Sequence, residues 1–130
     1  MISRFLGVSR TNTERSYTKL SSDTIASVMK AIIDDGTFPS DYGIIHNKEG
    51  VDLLPANIEL SGMEQILVNT MSREYVLKEY LSQVKDRYDY VLIDCMPSLG
   101  MLTINALVAA DSVLIPCQPN YLCVIMGLIL

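Results

Sequence analysis

Apolar residues follow one another without interruption in the short run Tyr90–Ile93, which is rich in β-branched and aromatic side chains. A run of this kind predicts a parallel strand that is covered on both faces. Residues 102–109 predict a buried helix, and residues 113–115 predict a second strand that ends at Pro116. The order of strand, helix and strand is typical of a right-handed crossover between two parallel strands.

The helical spacing of apolar residues predicts three further helices upstream of this unit. The first is capped by Ser22 or Asp23 and ends at Gly36, the second follows Asn57, which could cap it, and the third spans residues 73–87. Their apolar stripes consist of Ile25, Val28, Met29, Ile32 and Ile33, then Leu60, Met63, Ile66 and Leu67, then Leu77, Tyr80, Leu81, Val84 and Tyr88.

Short apolar runs at residues 44–46 and 51–54 predict two more strands between turn-forming residues. Residues 1–20 are polar and weakly patterned, which predicts an irregular surface segment. Alternating strands and helices place the chain in the α/β class, with a doubly wound, mostly parallel sheet and flanking helices. We therefore expect one domain over residues 1–130, with its α/β core at residues 21–130.

The composition limits the classes of function. Hydrophobic residues make up 49% of the 130 residues, which excludes a disordered chain. The net charge of -5 argues against a broad nucleic-acid surface, because such a surface needs clustered Lys and Arg. The three cysteines form no CxxC pair and there is one histidine, which favours a reducing cytosol and disfavours a zinc site. Since no targeting signal or membrane-spanning run is found, we expect a cytoplasmic protein without membrane contact.

An acidic residue, Asp94, stands directly after the strand Tyr90–Ile93. In open α/β sheets ligands bind beyond the carboxyl ends of the strands, and phosphate chemistry uses a carboxylate there to hold magnesium, often through a water. The following loop contains Pro97 and Gly100, one fixed and one permissive backbone position, so it can hold one shape or switch between shapes. The alternative is that Asp94 only caps the loop or the next helix.

The run YDYVLIDCMPSLGMLTINALVAADSVLIPCQ around Asp94 resembles the Walker B and switch II region of the ParA/Soj partition ATPases, relatives of MinD in the deviant Walker A class. The resemblance extends upstream through GVDLLPANIEL and covers about residues 20–122. It implies a fold like that of P-loop NTPases and an ATP-dependent homodimeric switch that uses ATP and Mg2+. It also implies a ParB-type partner and non-specific DNA binding through regions not in this chain, for the partitioning of plasmids or chromosomes.

Residue by residue, the resemblance assigns Asp94 to the Walker B carboxylate, which is catalytic and holds the magnesium-bound water. Pro97, Ser98 and Gly100 match the switch loop that responds to the γ-phosphate, and they are assigned to nucleotide binding. Gln118 matches a position near the nucleotide and is assigned to the same group.

Two other positions of the motif affect this interpretation. Asn105 matches the family's NAL signature, and because a buried amide must be hydrogen-bonded, we expect it to brace its helix against the switch loop. Met96 stands where the family usually has the first of two prolines, which implies a less rigid loop.

A Walker A P-loop, with closely spaced glycines followed by Lys and Ser or Thr, is absent from the sequence. The seven glycines lie far apart, and none precedes a lysine. The resemblance therefore implies that the first strand, the P-loop helix and a strand with a catalytic aspartate would lie before Met1, in a domain truncated at both ends. We expect that the chain alone does not hydrolyse ATP.

Two other functions fit parts of the sequence. One is a non-catalytic α/β interaction module that docks on a full-length ParA-type protein or a ParB-type partner, which needs no P-loop. The other is a receiver-like domain with Asp94 as phospho-acceptor, but the acidic pair that such domains carry after the first strand is missing.

His46 is interpreted as solvated and Cys95 as a small buried thiol. The strand Tyr90–Ile93 would present an open apolar edge, which predicts aggregation.

Overall fold

The computed structural model describes residues 5–9, 23–37, 39, 41–47, 50–96 and 98–116. Strands and helices in these residues are β1 at Phe5–Ser9, α1 at Ile25–Ile33, β2 at Val51–Pro55, α2 at Leu60–Val68, α3 at Val76–Val84, β3 at Tyr90–Ile93 and α4 at Met101–Ala109. A 3-10 turn at Lys85–Arg87 extends α3. In the described part of the chain, none of the helices combines the length and the apolar character needed to cross a bilayer.

The strands form one parallel sheet in the order β2, β1, β3. The central strand is β1, in which Leu6 pairs with Asp52 of β2 on one side and with Val91 of β3 on the other. Because all three strands run in the same direction, their carboxyl ends meet at one edge of the sheet. The predicted α/β class, with a parallel sheet and flanking helices, is confirmed.

The central strand lies in residues 1–20, for which the sequence predicts an irregular segment, and that prediction is wrong for residues 5–9. The stretch FLGVS contains a glycine and a serine among five residues, so its own strand propensity is weak. Backbone pairing on both sides and the burial of Leu6 and Val8 supply the stability that the local sequence lacks.

Helices cover one face of the sheet. Leu6, Val8 and Leu54 point into that face and are buried among apolar residues from all four helices. On the opposite face, Tyr90 and Leu92 of β3 are 58% and 62% exposed. The prediction that this strand is covered on both faces is therefore wrong within the described residues, because the helices there pack on a single face.

Two of the predicted strands do not form. Residues 113–115 adopt neither helix nor strand, and Leu114 is 93% exposed. No strand lies beside them in the part of the chain that the structure describes, and an apolar run becomes a strand only with a hydrogen-bonding partner. Within residues 44–46, pairing is limited to a single antiparallel bridge between Ile45 and Leu53.

The helices lie where the apolar spacing predicts them, and the differences concern their ends and their burial. The cap of α1 is Thr24 rather than Ser22 or Asp23, and α3 begins at Val76, three residues later than predicted. The predicted burial of α4 is only partial, because Leu107 is 48% exposed. The described residues place a neighbouring layer on one side of this helix only, where α2 and α3 contact it.

Candidate functional site

Asp94 follows β3 at the edge where the carboxyl ends of the strands meet. Its backbone N–H donates a hydrogen bond to the carbonyl oxygen of Val8 at 2.8 Å, which fixes the start of the following loop to the central strand. Asp94 is exposed and lines a cavity of about 340 Å³. It therefore lies on the side of the sheet where the sequence places it, and its role in catalysis and metal binding stays a prediction.

The cavity lies between the covered face of the sheet and the helices, with lining residues from all four of them. Its walls are mostly apolar, and they include Val8, Ile25, Met29, Ala56, Leu60, Leu77, Ile93, Leu102 and Ala106. The charged side chains along it are the carboxylates of Glu64 and Asp94. Among the residues that the structure describes, no lysine or arginine lines the cavity. The cavity is therefore mostly apolar, and its charged groups are both negative.

The loop between β3 and α4 brings three of the predicted site residues to this cavity. Ser98 and Gly100 line it together with Asp94. Within the loop, the Ser98 N–H donates to the carbonyl oxygen of Met96 at 2.8 Å, and the Gly100 N–H donates to Ser98 Oγ at 3.2 Å. The predicted contacts of Pro97 and Gln118 lie outside the described residues. All the predicted nucleotide contacts remain predictions.

Glu64 of α2 is a residue of this site that the sequence analysis does not identify. Its Oε2 accepts a hydrogen bond from the Met101 N–H at 2.9 Å, and its Oε1 accepts one from the Leu102 N–H at 3.2 Å. These N–H groups belong to the first turn of α4, where a helix has no internal acceptors and favours negative charge. Nothing in the local sequence separates Glu64 from an exposed glutamate such as Glu59, because its partners are 37 and 38 residues away.

Asn105 ties α4 to the start of α3. Its side chain is fully buried, its Oδ1 accepts a hydrogen bond from the Leu77 N–H at 3.1 Å, and its Nδ2 donates to the carbonyl oxygens of Arg73 at 2.7 Å and Met101 at 2.9 Å. The predicted bracing role is confirmed, but the main partner is wrong. Asn105 braces α4 against α3 rather than against the loop that follows Asp94.

Cys95 is exposed, so the interpretation as a buried thiol is wrong. Partial desolvation of the thiol and the negative charge of Asp94 raise the pKa of Cys95. A raised pKa keeps the thiol protonated near neutral pH, and a protonated thiol is a poor nucleophile and a poor metal ligand. Cys95 therefore contributes a neutral side chain to the site.

A second polar cluster lies at the opposite edge of the sheet, where the strands begin. The Asp52 side chain is 7% exposed; its Oδ2 contacts Tyr88 Oη and His46 Nδ1, each at 2.8 Å, and its Oδ1 accepts from the Asn47 N–H at 3.3 Å. Burial acts to raise the pKa of Asp52, but these hydrogen bonds outweigh burial, and the pKa is lowered. His46, interpreted from the sequence as solvated, is half exposed and holds this buried carboxylate. The cluster fastens residues 41–47 to β2.

A protein-family model described as an AAA domain matches residues 7–129, which is nearly the whole chain. The chain belongs to this AAA domain family. The matched range includes Asp94, Glu64 and Asn105, so the candidate site lies inside the family's domain.

Three known proteins illustrate the similarity. The sporulation initiation inhibitor protein Soj of Bacillus subtilis is 59% identical over 73 residues, which are 56% of this chain and 29% of Soj. A cobyrinic acid a,c-diamide synthase of Mycobacterium smegmatis, solved with an ATP analog and magnesium, is 36% identical, with a TM-score of 0.65 over 83% of this chain and 45% of its own. A plasmid partition protein of Borrelia burgdorferi shares the fold, with a TM-score of 0.77 at 24% identity over 98% of this chain and 58% of its own.

The sequence similarity to Soj and to chromosome-partitioning relatives confirms the resemblance to ParA/Soj-type partition ATPases, and the solved structures confirm the fold. The chain covers less than a third of Soj and about half of each of the two solved structures. The activity, substrates and partners of a complete protein of this kind are therefore matters for proposal.

The described residues suit a magnesium ion better than the phosphates of a nucleotide. Proteins hold Mg2+ through one or two carboxylates together with phosphates and waters, and Asp94 offers one exposed carboxylate. A helix N-terminus is a common site for phosphate, but the N–H groups of Met101 and Leu102 are already bonded to Glu64. The described part of the chain contains no group of three or more His, Cys, Asp and Glu residues placed to hold a metal by themselves.

Proposed function

We propose that the chain carries the metal-binding side of a ParA-type ATPase site, with Asp94 as the carboxylate that positions the magnesium-bound water. The observation that carries this proposal is the position of Asp94, exposed at the carboxyl edge of a parallel sheet and at the start of the loop that leads to α4. Ligands of open α/β sheets bind at this edge. The family match and the magnesium bound in a structural relative support the same assignment.

In such a site, magnesium neutralises the charge that develops on the transferred phosphoryl group. Asp94 would hold the ion's water by accepting hydrogen bonds, and Ser98 and Gly100 would lie beside the γ-phosphate. The resemblance assigns Pro97 to the same loop and Gln118 to contact with the nucleotide. Phosphate-binding groups are not found among the described residues, so the proposal assigns to this chain only the side of the site that faces the metal.

The proposal extends to partners and compartment. A nucleotide site of this type acts in an ATP-dependent homodimer with a ParB-type partner, and complete proteins of this type bind DNA non-specifically. The partition proteins among the relatives support this role in plasmid or chromosome segregation. Its compartment is the cytoplasm, in keeping with cysteines that form no CxxC pair in the sequence.

The test uses Mn2+ with ATP as a paramagnetic stand-in for the magnesium nucleotide. Nuclear magnetic resonance (NMR) spectra of the 15N-labelled chain should lose signal intensity first at the amides of Asp94, Cys95 and Ser98. Asp94→Asn should abolish that local broadening, because an amide binds divalent cations weakly. The matched control is Asp111→Asn, which removes an exposed carboxylate elsewhere and should leave the broadening unchanged.

Broadening that is spread over surface carboxylates, or that survives in Asp94→Asn, would overturn the proposal. A steady-state assay complements the binding experiment. We expect no magnesium-dependent ATP hydrolysis by the chain alone, because the sequence contains no P-loop and no phosphate-binding groups accompany Asp94 among the described residues. A robust rate that is lost in Asp94→Ala would contradict this expectation and would show that the chain itself contains the missing groups.

A second candidate function is a non-catalytic module that docks on a complete ParA-type protein. The observation that favours it is the exposed apolar face of the sheet at Val51, Tyr90 and Leu92. Fluorescence anisotropy with a labelled full-length relative should then show binding in the micromolar range, about -7 to -8 kcal/mol, that Leu92→Asp weakens at least ten-fold. The matched control is Leu114→Asp, at an apolar residue that is 93% exposed and lies outside the sheet.

A further inference from the structure

The carboxylate of Glu64 occupies the N-terminus of a helix to which it is not adjacent in sequence. Its two oxygens accept the N–H groups of Met101 and Leu102 at 2.9 and 3.2 Å. The residue at the N-cap position of α4 is Gly100, which has no side chain and makes no capping hydrogen bond. Glu64 on α2 therefore does for α4 what an N-cap side chain normally does.

Gly100 leaves open the space that the Glu64 carboxylate occupies. Its φ of -71° and ψ of 170° are ordinary extended values that any residue adopts, so the backbone does not need a glycine there. A Cβ built at position 100, however, would overlap the carboxylate of Glu64. Glu64 and Gly100 thus form a matched pair, in which the absence of a side chain on one admits the carboxylate of the other.

Both ends of the loop that begins at Asp94 are fixed to other elements. The Asp94 N–H is bonded to the central strand at Val8, and the far end is held by Glu64 through the first turn of α4. The hydrogen bonds described within the loop, from Ser98 to Met96 and from Gly100 to Ser98, are local. A change of loop shape that shifts the first turn of α4 must therefore either break the Glu64 contacts or move α2 together with α4.

We propose that Glu64 is a positioning residue that couples the loop from Asp94 to Gly100 to α2. Through this contact, a displacement of the loop is passed to α2 and to its outward apolar residues Ile66 and Val68, which are 42% and 57% exposed. This inference deepens the proposed function. It rests on that function only for the identity of the ligand that moves the loop. The coupling itself is tested without nucleotide or metal.

The first experiment is a double-mutant cycle read by amide hydrogen exchange in NMR spectra. Glu64→Ala should raise exchange at Met101 and Leu102 about ten-fold, because their N–H groups lose their acceptors. Gly100→Ala should produce the same rise by displacing the carboxylate. In the double variant, Gly100→Ala should raise the exchange rates by less than a further two-fold, since the carboxylate that a Cβ would overlap is no longer there.

The matched control is Glu59→Ala, which removes an exposed glutamate next to the same helix and should leave both amides unchanged. Glu64→Gln keeps the size of the side chain and one acceptor oxygen, so it should give an intermediate rise; it carries the test if Glu64→Ala does not fold. Unchanged exchange in the Glu64 variants, or full additivity with Gly100→Ala, would overturn the pairing of the two residues.

The second experiment measures coupling, which a merely structural cap would not transmit. Ser98→Ala perturbs the loop by removing the oxygen that accepts the Gly100 N–H. Methyl NMR signals of Ile66 and Val68 on α2 should shift in Ser98→Ala when Glu64 is present and should shift at least three-fold less in the Glu64→Gln background. Equal shifts in both backgrounds, or none in either, would overturn the proposal. Failure of the Mn2+ experiment would instead remove the proposed function and leave this coupling intact.

Discussion

Asp52 and Asp94 lie at opposite edges of the same parallel sheet, and their surroundings give one residue type two different roles. Asp52 is buried near the start of β2 and is held by Tyr88, His46 and the Asn47 backbone. Asp94 is exposed directly after β3, at the edge where the strands end. A buried carboxylate with several donors stabilises the fold, whereas the exposed Asp94 lies at the edge where we propose that a ligand binds.

The two carboxylates also act in opposite ways on proton equilibria. At Asp52, donated hydrogen bonds outweigh burial and lower the residue's own pKa. At Asp94, the carboxylate's charge adds to desolvation in raising the pKa of the neighbouring Cys95. The first effect ties stability to pH, and the second keeps a thiol neutral. We therefore expect substitutions of Asp52 to change mainly the stability of the fold, and substitutions of Asp94 to change mainly the reactivity of Cys95.

The largest expected effect is on stability at Asp52. Asp52→Ala removes a buried carboxylate that accepts hydrogen bonds from Tyr88 and from the Asn47 backbone, so the free energy of unfolding should fall by about 2 kcal/mol. Asp94→Ala should change it by less than about 0.5 kcal/mol, because it is a surface substitution. Urea unfolding followed by circular dichroism measures both. Equal losses in the two variants would show that Asp94 is also a structural residue.

The hydroxyl of Tyr88 should account for part of that difference. Tyr88→Phe removes one donor to Asp52 and keeps the ring, so we expect a loss of about 1 to 2 kcal/mol in the same unfolding experiment. Tyr75→Phe is the matched control, because Tyr75 is 50% exposed and should change stability by less than about 0.5 kcal/mol. A Tyr88→Phe value within error of the wild type would separate Tyr88 from the Asp52 cluster.

The pH dependence of stability should follow Asp52. Because its pKa is lower in the folded state, its contribution is present above the unfolded value of about 3.9 and is lost as pH falls through the folded pKa. The wild type should therefore lose stability more steeply than Asp52→Asn below about pH 4. Unfolding midpoints at pH 3 to 6 measure this difference. Parallel curves for the two proteins would contradict the role of Asp52.

The smallest expected effect concerns Cys95. Asp94→Asn removes a negative charge that raises the pKa of the thiol, so the thiolate fraction at pH 7.5 and the rate of iodoacetamide alkylation should rise by about two-fold. Peptide mass spectrometry can follow Cys95 separately from Cys117 and Cys123. Asp111→Asn serves as the control. A rate that does not change in Asp94→Asn would show that desolvation alone sets the pKa.

The sequence predicts the four described helices and the two flanking strands, because amphipathic spacing and continuous apolar runs are local signals. It misses the central strand, since FLGVS is stabilised by pairing on both sides rather than by its own composition. It also predicts a strand at residues 113–115 that does not form. Their apolar side chains favour a strand, but the described structure places no partner strand beside them.

The candidate site divides in the same way. Asp94, Ser98 and Gly100 are close in sequence, so a motif can identify them together. Glu64 cannot be found in this way, because its role depends on N–H groups that come from α4. Asn105 is an intermediate case: the sequence predicts a bracing amide, but only the packing of α4 on α3 shows which carbonyl groups it binds.

The sequence by itself determined the α/β class, the resemblance to ParA/Soj-type ATPases and the position of one carboxylate after an apolar strand. These follow from local periodicity and from a contiguous motif. The tertiary structure alone decided which strand is central, which face of the sheet is covered and which distant carboxylate holds α4. Such features depend on groups that are far apart in the chain, and hydrogen bonding and burial define them only once the chain has folded.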